Sequence, residues 1–125
     1  MSNLKFSYLY RDAGNYKKCA SVTFSNPDSL APESIEKTLR RCFLEECLFI
    51  AEQVRVPNCF LYARGNASSS DHCFHEFERL EMTRQAPDDL QGRSISQFVE
   101  EVEREASHKW KVFDPHELPD IELTR

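Results

Sequence analysis

Glycine is scarce in this chain, with only Gly14, Gly65 and Gly92 among 125 residues. They stand far apart, so neither a phosphate-cradling loop nor a dinucleotide fingerprint can form, since both need clustered glycines at a helix start. No apolar run exceeds five residues, as at Cys47 to Ala51. A membrane helix needs about 20, so no membrane partner is expected. No charged-then-apolar leader opens the chain, and Met1 to Tyr8 already reads as structure, which leads us to expect a cytoplasmic protein. The five cysteines (Cys19, Cys42, Cys47, Cys59, Cys73) are odd in number and include no C-x-x-C pair. A disulfide framework is not expected on that basis; buried, reduced thiols acting as small hydrophobes are.

Hydrophobic residues make up 40% and aromatics 11%, enough for one core. The length suits a single domain, which we place at 1–113, with an irregular acidic tail over 114–125. The formal charge of −5 is uneven, because residues 94–125 carry four basic and eight acidic side chains. Coating of duplex nucleic acid needs a broad basic surface, so it is excluded as a function. Lys5, Arg11, Lys17 and Lys18 against Asp12 leave room for a local anion-binding spot near the N-terminal end.

The period-two pattern of Leu4 to Arg11 puts Phe6, Tyr8 and Tyr10 on one face and Lys5, Ser7 and Arg11 on the other. Asp12-Ala13-Gly14-Asn15 is a turn. Tyr16 to Ser25 then alternates again, with Ala20, Val22 and Phe24 opposite Cys19, Ser21 and Thr23, which predicts a hairpin. Pro32 opens a helix carrying Ile35, Leu39, Cys42 and Phe43, which either stops before a buried strand at Leu48 to Ala51 or runs on to about Val54. Cys59 to Tyr62 reads as a short strand. His72 to Met82 reads as another, with Phe74, Leu80 and Met82 on one face and Cys73, His75 and Phe77 on the other. Ser94 to Gln97 fits a capping box ahead of an amphipathic helix with Ile95, Phe98, Val99, Val102 and Ala106 inside. The expected fold is α+β: an antiparallel sheet of about five strands in ββαβββα order, with two helices packed on one face.

Asp71-His72-Cys73-Phe74-His75-Glu76 is the densest set of ligand-type side chains. On a strand, Cys73 and His75 share one face and His72 and Glu76 the other, so only two donors converge and zinc needs three or four. Cys73 and His75 read as nucleophile and base stand roughly 6.7 Å apart along a strand, too far for the usual hydrogen-bonded pair. Neither a metal, a cofactor nor an enzymatic activity is expected. The hairpin differs in composition: Tyr8, Tyr10, Arg11, Asn15, Tyr16, Lys17 and Lys18 set aromatic faces beside cations, and such groups can stack on bases and hold phosphates. The plainer reading gives the aromatics to the core and the cations to solvent. Trp110 to Phe113, beyond the last helix, suits either a clamp onto the core or an interface.

Tyr10-Arg11-Asp12 with Asn15-Tyr16-Lys17, Val22 to Pro27, Phe49 to Glu52, and Asp71-His72 with His75-Glu76-Phe77 resemble scattered motifs of small bacterial and phage proteins. The size and element order look like phage anti-defence "sponge" proteins that sequester cyclic nucleotide signals of the Thoeris type. That resemblance implies an oligomeric, non-catalytic binder, in the host cytoplasm if phage-encoded. The five cysteines and the acidic tail fall outside it. The expected function is sequestration of a small anionic, nucleotide-like ligand by Tyr10, Arg11, Tyr16, Lys17 and Arg93 in a homo-oligomer. The alternative is a module that inhibits or adapts a larger partner protein through a sheet edge or its carboxy-terminal extension.

Overall fold

A computed structural model describes residues 2–62 and 66–116. Strands β1 (Asn3–Arg11) and β2 (Lys17–Phe24) form the hairpin, followed by α1 (Pro32–Cys42), β3 (Leu48–Phe49), a 3-10 turn at Glu52–Val54, β4 (His75–Thr83) and α2 (Ile95–Ser107). The four strands make an antiparallel sheet in the order β2-β1-β4-β3. The α+β class and two helices agree with expectation, while the strand count is four rather than about five. Most of the 114–125 tail lies outside the described residues.

Alternation along β1 buries Leu4, Phe6, Tyr8 and Tyr10. Phe24 and Val22 join them from β2, Ile35, Leu39 and Phe43 from α1 and its end, and Ile95, Phe98, Val99 and Val102 from α2. Ring contacts bind the layers together: Phe6 meets Phe77, Phe98 and Phe49, and Phe24 stacks on Phe98 at 4.4 Å. Packed aromatic pairs of this kind contribute about 0.5–1.5 kcal/mol each beyond their buried area.

The face assignment of β4 is corrected. Its register against β1 shifts between Ser7 and Tyr8, where Glu78 is the extra residue of a bulge. A bulge turns the alternation over, so His75 and Phe77 before it and Leu80 after it are all buried. Strict period two could not reveal this. The strand also starts at His75 rather than His72, because the His72 ring competes with the ladder. Its Nδ1 accepts the Phe74 N–H at 3.0 Å, and its Nε2 donates to the Arg11 carbonyl at 2.6 Å.

Cys59 to Tyr62 is not a strand. The Cys59 N–H donates to His75 Nε2 at 2.9 Å, and Phe60 and Tyr62 stack on each other and meet Tyr10 edge-on as a side-chain cover for the sheet end. Helix α1 stops at Cys42 because Phe43 is extended and Glu45 and Glu46 take left-handed backbone, at φ 49° and 66°. Leu44 and Leu48 then exchange backbone hydrogen bonds of 2.9 and 2.8 Å, which closes the outer side of β3. At α2 the capping box is present: Gln97 N–H donates to Ser94 Oγ, and Ser94 N–H to Gln97 Oε1. Trp110 clamps the protein's own core, donating from Nε1 to the Cys42 carbonyl at 3.0 Å beside Phe43.

Candidate functional site

The hairpin divides its residues between interior and solvent. Tyr10 is fully buried, donates to Asp71 Oδ1 at 2.7 Å and accepts the His72 N–H. Burial, reinforced by the bond to Asp71, pushes its phenol up, so it stays protonated. Arg11 is at the rim, with Nη1 on Asn15 Oδ1 at 2.5 Å and a long 3.4 Å pair with Glu76. Tyr16 is 74% exposed, and Lys17 and Lys18 are exposed beside it. Of the five expected contact residues, Arg11 and Lys17 are direct partners at the hairpin end, and Tyr16 precedes Lys17 in the chain with its side chain on the alternate face. Tyr10 is buried, and no described recess is lined by any of these four.

Arg93 is elsewhere and is committed internally. It is 6% exposed, and its five N–H donors meet five acceptors: Asp89 Oδ2 and Oδ1 at 2.9 and 3.0 Å, Glu101 Oε1 at 2.9 Å, and the Val54 and Arg55 carbonyls at 2.7 and 3.0 Å. The guanidinium also lies over Phe98 and Phe24. Arg55 adds two bonds to Glu101, of 2.8 and 2.7 Å. Those bonds hold the Glu101 carboxyl below its ordinary range despite burial, with help from Arg93. Burial raises Asp89, but its bonds from Arg93 outweigh that and leave it low. Two guanidinium groups and two carboxylates compensate one another, which makes this a structural clasp between the 89–93 turn, the 3-10 turn and α2. The recess beside it, about 370 Å³ and lined partly by Arg55, Glu100, Glu101 and Arg104, therefore carries little charge to attract an anion.

The ligand-type cluster is likewise bonded inward. Both His72 nitrogens have backbone partners, and His75 Nε2 accepts from Cys59. An accepting Nε2 leaves the proton of neutral His75 on Nδ1, which is buried without a hydrogen-bond partner among rings of Phe60, Tyr8, Tyr10 and Phe49. Burial pushes this imidazole down to about 4, with His72 a smaller cause. Among the described residues, no three Cys, His, Asp or Glu side chains are placed to hold a metal ion. All five cysteines are free thiols, with Cys59 and Cys73 buried and Cys19 exposed.

A surface feature that the composition did not mark is the outer edge of β2. Asp12 N–H donates to the Tyr16 carbonyl, so the even positions that follow bond to β1 and the odd ones point outward. Thr23 is capped there by the loop after β4: its N–H donates to Asp88 Oδ1 at 2.7 Å, and its carbonyl accepts the Asp88 N–H at 3.0 Å. Lys17, Cys19 and Ser21 have no such cover among the described residues, and all three are exposed. A recess of about 230 Å³ adjoins this edge, lined by Ser21, Val22, Arg55, Pro57, Asp88, Asp89 and Leu90. Leu90 is 85% exposed. The sequence signal for this edge was the short Lys-Lys-Cys-Ala-Ser stretch, whose outward side only the strand order could reveal. No described helix is long and apolar enough to cross a membrane. Comparison of the chain with protein-family models, curated proteins and solved structures finds no match.

Proposed function

We propose that the protein is a non-catalytic interaction module that takes up an extended protein segment along the free edge of β2. The observation that carries this reading is the row of backbone groups at Lys17, Cys19 and Ser21, unpaired among the described residues, along the outermost strand of the sheet. An uncovered edge is a template for strand addition, in which main-chain bonds supply affinity and side-chain recesses supply selectivity. The neighbouring Val22-Pro57-Leu90 recess suits the second role. The internal commitment of His72, His75, Tyr10 and Arg93 supports binding without turnover, since no acid, base and nucleophile converge on an open site.

Ser21→Pro tests this reading. It deletes an outward N–H without removing a β1–β2 bond, and proline is tolerated at strand edges. Affinity capture from the source cell, run with wild type and variant side by side, is expected to retain a protein on the wild type that the variant loses. Equal capture by both would overturn strand addition.

A second reading, sequestration of a small nucleotide-like anion in the manner the phage resemblance implies, draws support from the cations Arg11, Lys17 and Lys18 gathering with exposed Tyr16 at the hairpin end. Incubation with linear and cyclic nucleotides followed by heat release separates the possibilities. Unchanged ligand recovered from the protein supports sequestration, cleaved ligand identifies an enzyme, and no retention leaves the interaction module.

A further inference from the structure

We infer that the segment added to β2 is β2 of a second copy of this chain, in an antiparallel register centred on Cys19. This rests on the strand-addition reading and names its partner. A two-fold axis through Cys19 sets Lys17 opposite Ser21 of the second copy and Lys18 opposite Ala20. The outward groups of Lys17, Cys19 and Ser21 then exchange about six main-chain hydrogen bonds. Each lysine faces a small neutral residue. Shifting the register toward the hairpin tip, or pairing the strands in parallel, brings lysine against lysine, and like charges directly opposite are destabilising. The charges thus select one register as well as permitting it.

The ends of this pairing match too. Thr23 and its Asp88 cap block the edge beyond Ser21, so strand pairing stops there and the hairpin tip of one copy abuts the 88–90 loop of the other. Tyr16 comes opposite Val22 of the second copy, on the side where Val22, Pro57 and Leu90 line the 230 Å³ recess. Tyr16 and Leu90, at 74% and 85%, are among the most exposed large hydrophobics described. Lys17 and Lys18 approach an end that carries exposed Asp88. The cationic end of the edge is therefore complementary to its own anionic end under a two-fold operation.

Light scattering on the full chain at tens of micromolar is expected to give twice the 14.6 kDa chain mass. Ser21→Pro should weaken the dimer about tenfold or more, because main-chain bonds are lost at symmetric positions. Leu90→Asp, at a residue with almost no contact to its own chain, should weaken it similarly while leaving the circular dichroism spectrum unchanged. Cα atoms of directly paired residues stand about 5.5 Å apart, so a short bis-maleimide should join Cys19 to Cys19, and Cys19→Ser should abolish the cross-link. A monomeric mass, or a dimer indifferent to both Ser21→Pro and Leu90→Asp, overturns the second copy. A monomer that still captures another protein in a Ser21-dependent manner removes the second copy and leaves strand addition standing. Equal capture by wild type and variant removes strand addition itself.

Discussion

Arg93 shows how one side chain can satisfy a whole corner of the interior. Truncating it to alanine leaves Asp89 and Glu101 buried and the Val54 and Arg55 carbonyls without their guanidinium donors. Breaking a buried pair from one side costs about 3–5 kcal/mol, so Arg93→Ala is expected to lower stability by that order in a denaturant titration. A loss under about 1 kcal/mol would contradict the clasp. His75 is a residue whose effect is set by pH. Its folded value of about 4 lies below the ordinary 6.5, so protonation favours the unfolded chain. The stability is fully present above pH 6.5 and is lost as pH falls toward 4, by about 3 kcal/mol in all. His75→Phe should flatten stability across that window, at the separate cost of orphaning the Cys59 N–H, about 1–3 kcal/mol.

At the scale of elements, the bulge in β4 and the capping box of α2 are two devices of different weight. Deleting Glu78 restores strict alternation along β4 and turns either His75 and Phe77 or Leu80 away from the core. Because a one-residue slip exchanges the two faces, the deletion variant is expected to lose cooperative thermal unfolding. Ser94→Ala removes only the bond accepted from Gln97 and should cost about 1 kcal/mol, read as a modest drop in melting temperature. These elements also show what was legible in the chain. The hairpin, α1 and α2 follow from local periodicity and caps, and each was readable. The bulge leaves no mark, since charged Glu78 and Arg79 look like any outward pair. Cys59 to Tyr62 has strand composition, yet its apolar groups cover the sheet end instead of pairing. Arg93 was readable as a cation beside a turn; its burial depends on Asp89 and Glu101 arriving from two different segments.

For the molecule as a whole, the cysteines report on opening. Cys19 is exposed, whereas Cys59 and Cys73 are buried and burial pushes both thiols up. Native labelling is expected to modify Cys19 fast, with Cys59 and Cys73 following only as the structure opens. Rapid modification of Cys59 in native buffer would contradict the packing of the 59–62 cover. Five thiols exposed to different degrees, with Cys42 and Cys47 between Cys19 and the buried pair, make the chain its own probe of local against global unfolding.

The sheet order has a consequence for how the chain is made. Strand β4 lies between β1 and β3, and Asn3 pairs with Thr83, so the central seam of the sheet joins residues from opposite ends of the domain. A ribosome adding about 5–20 residues per second releases the β1–β2 hairpin several seconds before its central partner exists. During that wait both hairpin edges and the apolar face of Leu4, Phe6, Tyr8 and Tyr10 are unshielded, and an unaccompanied hairpin is marginally stable. Lys5, on the edge of β1 that β4 later covers, then acts on a nascent chain rather than a finished one, setting like charges between β1 edges of neighbouring copies on the same messenger until β4 emerges and closes the seam.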